Sequence, residues 1–178
     1  MANENKKDFN VRMNDSKDMP KIVELDNDGA KKWGGKTMVI APPLDYNELM
    51  KKVPKGKLIT TDILRKSIAK KYKVDITCPL TCGIFVNICA WASYQRETDI
   101  TPYWRTIKSD GELNPKYPKA IELQKRLLEE EGHTIISKGS KNIKYYVKIH
   151  SITSGQFQSG LPIFKTNRNT NRDLWRRQ

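Results

Sequence analysis

Apolar positions fall into helical stripes through the middle of the chain and into short β-like runs on either side. From Thr60 the spacing is helical: Ile63, Leu64, Ile68 and Tyr72 form a stripe, and Thr60 or Thr61 stands where a hydroxyl caps the first turn. Asp62 follows where the positive end of the helix dipole favours an anion. A second helix is expected to start near Pro79, a first-turn residue whose missing N–H would be unpaired anyway. It continues to Gln95 almost uniformly apolar, with Ile84, Ile88 and Trp91 on one face and Phe85, Cys89 and Ala92 on the next, the pattern of a mostly buried helix. A third helix is predicted over about residues 119–131, with Ile121, Leu123, Leu127 and Leu128 apolar and Gly132 as its stop.

Shorter signals flank these helices. Residues 36–41 read as a strand ended by Pro42 and Pro43, and Asp45 is expected to cap a short helix that Pro54 and Gly56 terminate. Residues 101–111 read as a strand or structured loop closing on a Ser-Asp-Gly turn, and residues 133–152 as two strands around a Lys-Gly-Ser-Lys turn. The expectation is an α+β fold with a winged-helix-like (helix-turn-helix) three-helix core, short strands and flexible basic arms. Residues 1–35 read as a loosely held polar arm, 36–150 as the folded domain, and 151–178 as a basic tail carrying Arg168, Arg172, Arg176 and Arg177.

Charge sharpens the picture. The 178 residues carry 33 Lys plus Arg against 20 Asp plus Glu, a formal charge of +13, and 37% are hydrophobic. That suits one domain with extensions and favours a polyanionic partner. No run has the length of a membrane span, and the first residues lack a secretory signal, so a soluble, monomeric, cytoplasmic protein is expected, nucleoid-associated in a bacterial setting. Between Lys51 and Lys73 stand nine basic residues, Arg65 and Lys66 among them, and one acidic residue, Asp62. Such a cluster either neutralises phosphates or solvates a helix face. The odd trio Cys78, Cys82 and Cys89 lacks zinc-ligand spacing and reads as reduced thiols, so no metal is expected. His133 and His150 sit near no nucleophile in a recognisable spacing, and no phosphate-cradling glycine motif occurs, so no cofactor is expected.

Three segments carry a resemblance: residues 53–61 (VPKGKLITT), TPYWR at 101–105 followed by KSDGELN at 108–114, and ELQKRLLEEEG at 122–132. In this order and at these separations they resemble the DNA-binding domain of the O6-alkylguanine-DNA alkyltransferases over about residues 53–136. The family's Pro-Cys-His-Arg motif falls on Pro102, Tyr103, Trp104 and Arg105, so the acceptor thiol is replaced by a phenol and the activating imidazole by an indole. Alkyl transfer needs a thiolate, and this pair provides none. The chain is thus most similar to the alkyltransferase-like proteins, which lack the cysteine. The resemblance implies a non-catalytic duplex DNA-binding protein, with alkylated bases in DNA repair as target and other repair proteins as partners.

Carried onto this sequence, it implies a former active-site pocket at Pro102, Tyr103, Trp104 and Arg105. It also implies phosphate contacts from Lys57, Thr60, Thr61, Arg65 and Lys66, with Thr81 and Gly83 approaching the groove. Tyr103 and Trp104 either stack on a base or fill the space that Cys and His vacated. Glu131 matches a glutamate that holds the family's active-site histidine; with Trp104 there, a hydrogen bond to backbone or solvent is expected. Thr61-Asp62 stands in place of the family's Thr-Tyr-Gly, and residues 78–83 in place of its arginine-led motif, which removes the side chains that rotate a nucleotide out of the duplex and fill its gap. Two alternatives stay open: a divergent methyltransferase using Cys78 or Cys82, and an RNA-binding or protein-interaction module on the same scaffold.

Overall fold

A computed structural model of the chain describes residues 7–148 and the backbone of residues 153–156 and 162–165. The first surprise lies in the expected polar arm. Asp8 caps helix α1 (Phe9–Asn14) by accepting the Val11 amide at 3.0 Å, and Phe9 and Met13, one turn apart, are buried. Strand β1 (Lys21–Glu24) follows, then helix α2 (Asn27–Trp33), which Asp26 caps through the Gly29 amide at 2.7 Å. Gly34 ends α2 in the left-handed region (φ 83°). Residues 7–35 are therefore structured, with Phe9 and Met13 packed into the main core.

Strand β2 (Thr37–Ile40) pairs antiparallel with β1, and helix α3 (Pro43–Lys51) starts at the second of the two prolines. Asp45 consequently lies inside the first turn and does not cap it; its carboxylate accepts from Lys71 at 2.6 Å and from the Tyr72 hydroxyl at 2.7 Å. Next come β3 (Lys57–Thr60), α4 (Thr61–Tyr72), β4 (Ile76–Thr77) and α5 (Pro79–Tyr94). A 3-10 turn at Tyr103–Arg105 leads into β5 (Thr106–Ile107), followed by α6 (Ala120–Glu130) and the antiparallel hairpin β6 (Ile135–Lys138) and β7 (Lys144–Val147). Two segments of the expected tail are strands, β8 (Thr153–Gln156) and β9 (Pro162–Lys165). Arg168, Arg172, Arg176 and Arg177 lie outside the described residues.

The result is α+β. β2 pairs with β1 and, in parallel, with β4; a second sheet has the order β5-β3-β9-β8, with β3 and β5 parallel. The main core gathers Met50, Leu64, Ile68, Val86 and Cys89 between α1, α3, α4 and α5; each large side chain removed from water there contributes about 1.5–3 kcal/mol. A second cluster, Leu58, Ile107, Leu113, Leu128 and Val147, sits under α6 and the hairpin. The buried-helix expectation for α5 holds on one side of the helix: Cys82, Val86, Cys89 and Ala92 are buried, whereas Leu80 is 69% and Ile84 52% exposed. No helix among the described residues is long and apolar enough to cross a membrane.

Candidate nucleic-acid interface

The start of α5 is fixed by the strand before it. The Cys78 amide donates to Val39 O at 2.9 Å, and Pro79 opens the helix without a side-chain cap. The first amides of the helix, at the positive end of its dipole, therefore have no side-chain cap. At Gly83 an added Cβ would meet nothing within 4 Å. Beside this end lies a cleft of about 450 Å³, bounded by α4, α5 and the loop of residues 108–116. Arg65, Lys108 and Lys116 line it, with Thr61, Gly83 and Asn87, over a floor that includes Leu80 and Ile84; no lining residue is acidic.

The loop wall is held from three sides. Asn114 Nδ2 donates to Asn87 Oδ1 at 2.9 Å, Gln124 Oε1 accepts the Asn114 amide at 2.8 Å, and Trp91 Nε1 donates to Lys116 O at 3.0 Å. Gln124, fully buried, also donates to Trp104 O and Thr106 O, both at 3.1 Å, so one amide group from α6 fixes both the loop and the 3-10 turn. Lys108 is partly neutralised by Glu112, which it shares with Lys144 at 2.7 and 3.2 Å. Burial pushes the Glu112 carboxyl up, but the two lysines outweigh it and hold it below the ordinary value. Arg65 and Lys116 have no carboxylate partner among the described residues.

Of the residues expected to contact DNA, Thr61, Arg65 and Gly83 line this cleft. Lys66 is exposed outside it, Lys57 lies in β3, and the Thr81 hydroxyl turns back to Cys78 O at 3.3 Å. Thr60 is 3% exposed with its hydroxyl enclosed, which corrects its assignment as a phosphate contact: ending a buried strand, it points inward. The lysine cluster is also partly spent, since Lys51 pairs with Asp99 at 2.7 Å and Lys71 with Asp45. Asn87, Lys108, Asn114 and Lys116 are not among the expected contacts; Lys108 and Asn114 stand at the ends of the KSDGELN segment that carries the resemblance, and nothing local marks Asn87 or Lys116.

The expected pocket at residues 102–105 is filled. Tyr103 is 3% exposed and packs edge-on against the rings of Trp104 and Tyr117, at 5.5 and 5.4 Å between centroids. Burial pushes its phenol well above the ordinary value. Trp104 Nε1 donates to Glu131 Oε1 at 2.8 Å, and Arg105 grips the same carboxylate through Nε at 3.0 Å and Nη2 at 2.8 Å while Nη1 donates to Val53 O. The Gly56 amide adds a bond to Glu131 Oε2 at 2.9 Å. Glu131 therefore holds the indole and the guanidinium as well as backbone, which corrects the expectation of backbone or solvent alone. None of residues 102–105 lines the cleft.

All three thiols are enclosed. Burial pushes the Cys82 thiol up to about 12 and raises Cys89 as well, and Cys78 is buried. Among the described residues no group of three His, Cys, Asp or Glu side chains is placed to hold a metal ion.

No family model matches the sequence, and no curated protein matches it. Among solved structures, a crystal structure of S. pombe Atl1 in complex with damaged DNA containing O6-carboxymethylguanine is similar at a TM-score of 0.39 and 22% identity, over 60% of this chain and 87% of that one. A likeness at that TM-score fixes neither fold nor function.

Proposed function

We propose that this protein binds duplex DNA without altering it, through the cleft where α4, α5 and the 108–116 loop meet. The observation that carries this reading is the acid-free lining of that cleft, with Arg65, Lys108 and Lys116 around the uncapped start of α5. The core then acts in the manner of a winged helix, with α4 and α5 as the helix pair and β6–β7 as the wing. Alkylated bases are the proposed target, read at the apolar floor by Leu80 and Ile84 and not by residues 102–105. A cytoplasmic location and recruitment of repair proteins belong to the same proposal.

The test is fluorescence anisotropy with labelled 20-bp duplexes, with and without one O6-methylguanine, over a salt series. Binding that weakens steeply with salt and is lost in Arg65→Ala/Lys116→Ala supports DNA binding; equal affinity for both duplexes refutes lesion recognition. The exposed pair Leu80 and Ile84 favours one second reading, a protein-docking face. Salt-independent or absent nucleic-acid binding would decide for it.

A further inference from the structure

The cleft does not end at Asn87. A second cleft of about 780 Å³ adjoins it along α5, sharing Ile84, Asn87, Pro115 and Lys116. Its far rim carries Lys7 and Arg12 from the N-terminal segment and Lys119 from the start of α6, again with no acidic lining residue. All three are exposed, and none has a carboxylate partner among the described residues. Lys119 and Ala120 both adopt left-handed backbone (φ 55° and 53°), a conformation rare for residues with a Cβ, where the chain bends at the cleft edge.

These cations are held in place. Gln95 clasps the segment from both sides, Oε1 accepting the Phe9 amide at 2.9 Å and Nε2 donating to Lys7 O at 2.8 Å. Phe9 stacks on Trp91 at 5.6 Å with 24° between the rings, and Asn10 Nδ2 donates to Ala92 O at 3.2 Å. A solvated tail needs no such seat. From Ile84 to Trp91 the helix advances about 10 Å at roughly 1.5 Å per residue. That is the axial length of about three nucleotides of one duplex strand at roughly 3.4 Å each.

Resting on the cleft reading above, we infer that the N-terminal segment is part of the nucleic-acid interface. One strand of the duplex seated at the start of α5 continues through the second cleft, its phosphates on Lys7, Arg12 and Lys119 and its sugars over the apolar floor. Continuity with the first cleft and charge complementarity select this occupant.

The experiment compares the salt dependence of 20-bp duplex binding in the full chain, in Lys7→Ala/Arg12→Ala/Lys119→Ala, and in a control, Lys31→Ala/Lys55→Ala/Lys141→Ala, whose exposed lysines line neither cleft. Circular dichroism and thermal melts establish that each folds. Removing a cation that neutralises one phosphate lowers the slope of log affinity against log salt by about 0.9, so the second-cleft variant is expected to drop by about 2–3 and the control by less than about 1. Between 50 and 200 mM salt, a slope drop of about 2–3 amounts to about 16- to 64-fold less loss of affinity than the native chain shows. Equal slopes for the two variants overturn this inference while the Arg65→Ala/Lys116→Ala loss keeps the first cleft in place. Absence of salt-sensitive binding in the native chain overturns both.

Discussion

Replacing Glu131 by Gln exchanges a carboxylate that only accepts for an amide that must also donate, in a place surrounded by donors. Arg105, Trp104 and the Gly56 amide all point at it, so the new NH₂ group faces another N–H whichever way it turns. The side chains of Arg105 and Glu131 are 13% and 6% exposed, which makes this a buried pair. Breaking such a pair costs about 3–5 kcal/mol, because the surviving charge stays desolvated. Arg105 keeps Val53 O as acceptor and a little solvent, so the lower end, about 3 kcal/mol, is expected, against a total stability of about 5–15 kcal/mol for a domain. Urea unfolding followed by tryptophan fluorescence measures it. A loss under about 1 kcal/mol, the worth of an exposed pair, would refute the reasoning. The double variant Arg105→Met/Glu131→Leu, which removes both charges, should lose less than Glu131→Gln alone. The pH dependence has a definite sign: burial raises the Glu131 carboxyl, but the bonds from Arg105, Gly56 and Trp104 outweigh it and hold it below its ordinary 4.5. Its contribution is therefore fully present above about pH 4.5 and is lost as pH falls through the depressed folded value, and Glu131→Gln should flatten that acid limb.

Gly83→Glu places a carboxylate inside the cationic cleft without touching the core; the expected result is an unchanged melting profile and duplex affinity about tenfold weaker, roughly 1.4 kcal/mol by anisotropy. Gly35→Ala should destabilise by about 1–3 kcal/mol in chemical unfolding, since its Cβ would fall 2.4 Å from that of Asp75, whose carboxylate accepts the Lys36 and Thr37 amides. Native protein incubated with O6-methylguanine DNA should gain no mass of about 14 Da on any cysteine, and its three thiols should react with a thiol reagent only after unfolding; a rapidly reacting native thiol would restore the methyltransferase alternative.

Where structure follows local chemistry the sequence is readable: Pro79 marks the start of α5, the Ile63, Leu64 and Ile68 stripe marks α4, and the Lys-Gly-Ser-Lys turn marks the β6–β7 hairpin. α1 is not, because a six-residue helix shows no period, and the i,i+4 pair Phe9 and Met13 is its one signal. The site is half legible. Thr61, Arg65 and Gly83 belong to helix starts that announce themselves, whereas Lys108, Asn114 and Lys116 reach the cleft only because Asn87, Trp91 and Gln124 tie their loop to α5 and α6. Charge density misled for a similar reason, since Lys51 and Lys71 find Asp99 and Asp45 at sequence distances of 48 and 26 residues.

Gln124 makes two otherwise separate pieces of backbone answer to a single side chain. Were its amide to let go, the peptide groups at Asn114, Trp104 and Thr106 would lose their partner at the same moment, deep under α6. Loop and turn are geared together, so loosening at one is felt at the other. Amide-proton exchange across residues 104–114 should consequently proceed in unison, as one cooperative opening instead of a scatter of independent flickers.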